Sequence, residues 1–154
     1  MPLPIWQRIL GLLIYMLPWS DALPFAGSLF QQFPVMRWLT LPVLPIIIIE
    51  RGIPFGSLLL FFLLFLAVVR NPKVPYFLRF NTLQALLLDI SIVILNFAFQ
   101  VLLLPIGSTL IVRSLSSTVL IGMLAIVIFA GVECLQGKEP DLPGISQAVK
   151  MQLY

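Results

Sequence analysis

Histidine is missing from this chain, and cysteine occurs once, at Cys134. Without imidazole there is no histidine base and no histidine ligand for haem, zinc or chlorophyll. A single thiol excludes an internal disulfide and any multi-cysteine metal centre, so Cys134 reads as a small apolar residue near a helix end. Charge is scarce as well: 10% of the 154 residues are Asp, Glu, Lys or Arg, against about 25% in a soluble domain. The sequence contains no nucleophile–base pair, Gly-rich phosphate loop or metal-ligand spacing, and neither enzyme chemistry nor a cofactor nor a metal is expected. The net charge of +3 is split among segments that flank apolar runs. That pattern reads as topology signals and attraction to anionic headgroups, with no nucleic-acid partner. Internal repeats are absent, and so are a basic n-region and an A-x-A site, so no cleavable targeting segment is expected.

What is present is apolar sequence, 60% of the chain. Backbone groups in hydrocarbon must be satisfied internally, and the apolar runs have helical length. The expected fold is an all-α integral membrane protein forming a single membrane domain over 1–154. Four transmembrane helices are expected, at about 9–30, 52–69, 80–104 and 114–132, with a polar tail at 138–154. A short Pro-containing interfacial or re-entrant segment lies between the first two.

The first apolar region, Ile5 to Phe33, exceeds the ~20 residues needed to span. Pro18 and Pro24 interrupt it, with Ser20 and Asp21 between them. It reads as one span kinked near Pro18, or as two half-helices joined by a turn at Pro18–Asp21 that Asp21 could cap. Trp6 and Trp19 are candidate interface anchors. The next apolar piece, Trp38 to Ile49, contains Pro42 and Pro45. About twelve helical residues reach only about 18 Å, short of a ~30 Å hydrocarbon core, hence the interfacial or re-entrant reading. Gly52 to Val69 carries no charge beyond its flanks, and neither does Ser114 to Val132. Pro105-Ile106-Gly107 ends the third span. Gly122, Ala125, Ala130 and Gly131 offer small surfaces for close helix packing. Glu133 reads as an ordinary interfacial carboxylate. In the tail, Asp141 could cap a short helix with Leu142, Ile145 and Val149 on one face, and plain disorder is the alternative.

The stretch from Arg70 to Ile90 organises the rest. Arg70, Lys73 and Arg79 form the densest basic cluster in the chain. Asn71-Pro72 stops one helix, and Pro75 suits the first turn of the next. Tyr76, Phe77 and Phe80 are expected at headgroup level. Asn81, Gln84 and Asp89 then enter an otherwise apolar helix, where a central carboxylate costs roughly 2.5–3.5 kcal/mol. Asp89, Asn96 and Gln100, spaced i, i+7, i+11, fall within an arc of about 40°. Two readings of this stripe stay open. It hydrogen-bonds neighbouring helices, or it lines a polar path or docks a partner helix. In either case Asp89 should point into the protein.

The residues Arg79-Phe80-Asn81, Gln84-Ala85 and Asp89-Ile90, with the preceding Val-Val-Arg-Asn-Pro-x-Val-Pro, resemble the signature of a known family. It is the twenty-kilodalton membrane subunit of the chloroplast inner-envelope protein translocon, the Tic complex, with its cyanobacterial relatives. Tyr15-x-x-Pro18, Asp21 and Phe33-Pro34 are similar as well. The resemblance implies a four-helix membrane subunit that forms or supports a protein-conducting channel, and no catalytic residues. It raises Arg79, Asn81, Gln84, Asp89, Asn96 and Gln100 as partner or channel candidates. Bilayer lipid, other membrane subunits or further copies of the chain are the expected partners, because four helices are too few to enclose a protein-wide pore. Alternatives are an accessory or assembly subunit of a photosynthetic complex and, in second place, a small-solute transporter. The implied location is a cyanobacterial plasma or thylakoid membrane, or the plastid inner envelope. Arg8, Arg70, Lys73, Arg79, Lys138 and Lys150 outnumber Arg37, Arg51 and Arg113, which sets both termini on the cytoplasmic or stromal side.

Overall fold

A computed structural model describes residues 3–106, 110–140, 142 and 145–153, apart from the side chains of Pro24, Ser28, Ser57, Leu104 and Leu153. Helix α1 (Ile5–Ile14) starts behind Pro4, whose carbonyl accepts the first turn from the Gln7 and Arg8 amides. It stops at Tyr15, one turn before Pro18, because Pro18 has no N–H to offer the Ile14 carbonyl. α2 (Met16–Ala22) carries straight on with Pro18 in its first turn. Pro24 then tightens the chain into a 3₁₀ turn, Leu23–Ala26, before α3 (Gly27–Gln32). The interruption therefore falls at Tyr15 and at Leu23–Ala26. Residues 18–21 are helical, and Asp21 caps nothing.

The Pro-containing segment is a 3₁₀ stretch, Pro34–Val43, followed by α4 (Leu44–Gly52) with Pro45 in its first turn. A tight turn at residues 53–55 reverses the chain. Phe55 sits there in the left-handed region at φ 57°, and a Cβ on Gly56 would strike the Glu50 main chain. α5 (Gly56–Leu64) runs into a π turn, Phe65–Val69. In the following loop the Lys73 amide donates to Asn71 Oδ1 at 3.0 Å, a side-chain turn that suits Asn before Pro.

α6 (Tyr76–Ala98) is the central helix, and a π turn, Phe99–Leu103, extends it. It packs on α1, on α2, on the π turn after α5, and on the tail helix α8 (Ile145–Leu153). α7 (Leu110–Leu135) packs on α1 to α3. Gly131 faces Leu12, and Gly11 faces Phe77 and Cys134 with almost no clearance. These two glycines let α1, α6 and α7 approach closely at one end. Gly107, Ser108, Thr109, Asp141, Pro143 and Gly144 fall outside the described residues.

Among the described residues, two helices are long and apolar enough to cross a bilayer, Tyr76–Leu103 at 28 residues and Leu110–Leu135 at 26. The first apolar region is cut by its prolines, and the helix Gly56–Val69 is shorter than a full span. Membrane character is clear from the surface. Val93, Ile94, Phe97, Leu102, Ile121 and Ile128 are all more than half exposed, large apolar side chains on the outer faces of both long helices, as lipid contact requires.

Three aromatic assignments need correction. Phe77 and Phe80 are buried, 4% and 0% exposed, because α1 and α8 cover the first turns of α6 on opposite sides. Trp19 is buried too, and its indole N–H donates to the Leu39 carbonyl at 3.0 Å. It ties the 3₁₀ stretch to α2 rather than anchoring at an interface. Trp6 and Tyr76 retain exposure.

Candidate functional site

Asn81 and Gln84, one turn apart on α6, are wholly buried. A buried amide must find partners, and both amides do. Tyr15, at the break between α1 and α2, donates its hydroxyl to Asn81 Oδ1 at 2.8 Å and accepts from Gln84 Nε2 at 2.9 Å. Asn81 Nδ2 donates to the Phe77 carbonyl at 2.8 Å, and the Cys134 thiol lies 3.2 Å from Asn81 Oδ1. Gln84 Nε2 also reaches the Pro140 carbonyl at 3.1 Å, and the Ser146 hydroxyl donates to Gln84 Oε1 at 2.6 Å. The Leu142 amide closes the set by donating to Ser146 Oγ at 2.7 Å. This network joins α1, α6, α7 and the tail, and every polar atom named in it is partnered.

Arg79, one position before the aromatic Phe80, uses its Nε to bond the Val69 carbonyl at 2.9 Å. That carbonyl belongs to the last turn before the loop, where a helix lacks internal donors and a cation is favoured. Arg70 stacks over the Phe65 ring at 5.7 Å. The basic loop is thus fastened to the helix that precedes it.

Asp89 belongs to a second, separate constellation. It lies half-way along the membrane-length helix and is 6% exposed. Asp21 of α2 and Glu50 of α4 are both near enough to act electrostatically on its carboxyl. Glu50 in turn faces Asp21 and Arg51. One oxygen each of Asp89 and Glu50 is buried without a hydrogen-bond partner. Asp21 and Asp89 form the floor of a cavity of about 470 Å³ whose walls are Leu58, Phe61, Ile90, Val93 and Ile94. Asn96 is half-buried and Gln100 exposed. Gln100 lies in the π turn Phe99–Leu103, where each residue advances less than the 100° that the stripe assumed. The candidates therefore separate into a closed hydrogen-bond network, a loop clasp and an acidic cavity.

The model of the family described as "Chloroplast import apparatus Tic20-like" matches residues 3–149. The chain belongs to the Tic20 family. A "Tic20 family protein" of Synechocystis sp. is 35% identical over 148 residues, covering 96% of this chain and 92% of the relative. "Protein TIC 20-v, chloroplastic" of Arabidopsis thaliana is 31% identical over 148 residues, covering 96% and 71%. "Protein TIC 20-II, chloroplastic" of the same plant is 29% identical, covering 99% and 74%.

In this Tic20 family chain the partners of the signature residues are spread over the sequence. Nothing in the local sequence marks Ser146, whose hydroxyl gains its partners only when α8 docks on α6, and Glu50 stands in the sequence as a charge at the edge of an apolar run. A signal for the acidic group did exist: six carboxylates occur in the chain, and a carboxyl in apolar sequence seeks another polar group.

Proposed function

We propose that this chain is a membrane subunit of a protein-import translocon, forming or supporting a protein-conducting channel together with partner subunits. The observation that carries the reading is the family match over residues 3–149, to a family described by its place in the chloroplast import apparatus. The structure is compatible with a subunit rather than an enzyme, and no catalytic step is assigned to it. In this reading the chain crosses the membrane four times, with the Tyr15 and Leu23–Ala26 irregularities buried against α6 and α7, where irregular backbone is tolerable. Both termini face the cytoplasm or stroma of a cyanobacterium or plastid. In support, Arg8 bonds the Leu135 carbonyl, and Arg70, Arg79 and Gln152 border one small cleft, so the majority of basic residues gather at one end. Gln32 and Arg113 share a cleft elsewhere, at the junction of α3 with α7.

Partner subunits are required because α6 and α7 pack directly on the N-terminal helices around side chains rather than around an open passage. The test is purification in mild detergent with a translocating precursor arrested in the membrane. A photo-crosslinkable residue in this chain should capture the precursor, and membrane subunits should co-purify. Recovery solely with photosystem or respiratory subunits, and never with a precursor, would overturn the proposal in favour of an assembly or accessory role.

A further inference from the structure

Arg70 and Arg79 bring two guanidinium groups to one cleft at the end of the bundle. Arg70 follows the π turn Phe65–Val69, and Arg79 stands in the first turn of α6. Gln152 of α8 borders the same cleft, and Phe65, Val69 and Leu83 form its apolar part. Arg79 is half-buried. Among the described residues its one acceptor is the Val69 carbonyl, taken by the Nε–H at 2.9 Å, which leaves four of its five N–H donors. Arg70 lies over the Phe65 ring at 5.7 Å, a contact that uses none of its donors. No acid balances these charges. The stretch 52–88 and the tail 142–154 contain Arg70, Lys73, Arg79 and Lys150 and no Asp or Glu.

We propose that this cleft binds the phosphate of an anionic phospholipid at the membrane surface. The inference goes beyond the translocon-subunit reading and does not depend on it. Charge complementarity selects an anion, and paired guanidinium N–H groups match phosphate oxygens in geometry. A half-buried cation without a counter-ion is costly, and a bound phosphate offsets that cost. The level in the membrane is right for a headgroup. Arg70 directly follows the apolar helix Gly56–Val69, and Arg79 lies three residues inside the start of the apolar helix Tyr76–Leu103. Such helix ends meet the headgroup region. The cleft is about 20 Å³, room for one water-sized group. It therefore admits one phosphate oxygen and leaves the rest of the headgroup at its mouth. Leu63 and Leu66, on the helix that leads to Arg70, are 62% and 64% exposed and offer a track for the acyl chains. A soluble phosphate or an acidic peptide would leave that apolar continuation unused.

The experiment titrates the purified full-length protein, in an uncharged detergent, with phosphatidylglycerol or phosphatidylcholine. Bound lipid is counted by native mass spectrometry. Phosphatidylglycerol should bind about tenfold more tightly than phosphatidylcholine, as two basic side chains at a membrane surface allow. Inorganic phosphate at the same concentration should not displace it. The double variant Arg70→Gln, Arg79→Gln should lose the preference. Arg70→Gln alone should weaken it several-fold and leaves the Arg79–Val69 bond in place, so the result does not depend on the double variant folding. Arg8→Gln with Lys138→Gln removes two charges from the same end of the molecule and should keep the preference. Equal binding of the two lipids, or a preference that survives in both cleft variants, overturns the inference. So does equal loss in the Arg8 and Lys138 control, which would mean diffuse attraction rather than a site. Displacement by inorganic phosphate overturns the lipid as the source of the anion.

Discussion

At the residue scale, the turn before α5 stores strain in one place. Phe55 holds a left-handed backbone that a bulky side chain disfavours by about 1–2 kcal/mol, between Pro54 and the sterically locked Gly56. Phe55→Gly should therefore raise the unfolding free energy by about 1 kcal/mol in detergent, whereas Gly56→Ala should lower it by at least as much. Thermal melts followed by circular dichroism distinguish the two. Asp89 offers a second contrast. Asp89→Leu takes from the half-buried Asp21 carboxyl its polar neighbour and should cost about 1–3 kcal/mol, seen as a lower melting temperature and less protein in the membrane. Asp89→Asn should stay within about 1 kcal/mol of the parent. The burial of Asp89 was legible from its cost in hydrocarbon. Its partner was not, because Asp21 is 68 positions earlier in the chain and no local pattern links them.

At the element scale, the tail is the part that sequence reasoning read least well. Its composition is polar, and Leu142, Ile145 and Val149 promise only an amphipathic turn or two. In the structure Leu142 and Val149 are buried and Ser146 is locked to Gln84. What composition hides is that α6 presents a buried amide to receive that hydroxyl. Gln84→Leu removes the Ser146 hydroxyl's acceptor on α6 and a donor to Tyr15; the hydroxyl falls back on the Pro140 carbonyl, 3.0 Å away, so the cost should be about 1–2 kcal/mol. The expected readout is local. α8 should detach first, so trypsin should cut at Lys138 or Lys150 in the variant well before it cuts the parent. Equal cleavage rates would show that apolar contact alone holds the tail. The proline breaks, by contrast, were readable to within a turn. Each proline removes one donor, and the structure places each irregularity one turn before the proline or around it.

At the scale of the whole molecule, the helical fold and the membrane setting could be read from the sequence because bilayer thickness and backbone hydrogen bonding leave few options. The number of crossings was less legible: Gly56–Val69 and the interrupted N-terminal region fall between a full span and a half-span. Topology can be measured directly. In a Cys134→Ser background, which preserves a donor to Asn81, Lys150→Cys should react with an impermeant maleimide from the cytoplasmic or stromal face, and Arg113→Cys from the opposite face. Labelling of both from the same side would remove the four-crossing arrangement. The Tyr15–Gln84–Ser146 network has a further consequence for biosynthesis. Its members come from the start, middle and end of the chain, 69 and 62 positions apart. During translation, Tyr15 and Gln84 are already membrane-inserted while Ser146 is still inside the ribosome. A nascent or prematurely terminated product thus carries a glutamine bonded to Tyr15 alone, its Oε1 without the Ser146 hydroxyl, a mark by which a membrane protease could tell an unfinished copy from a finished one.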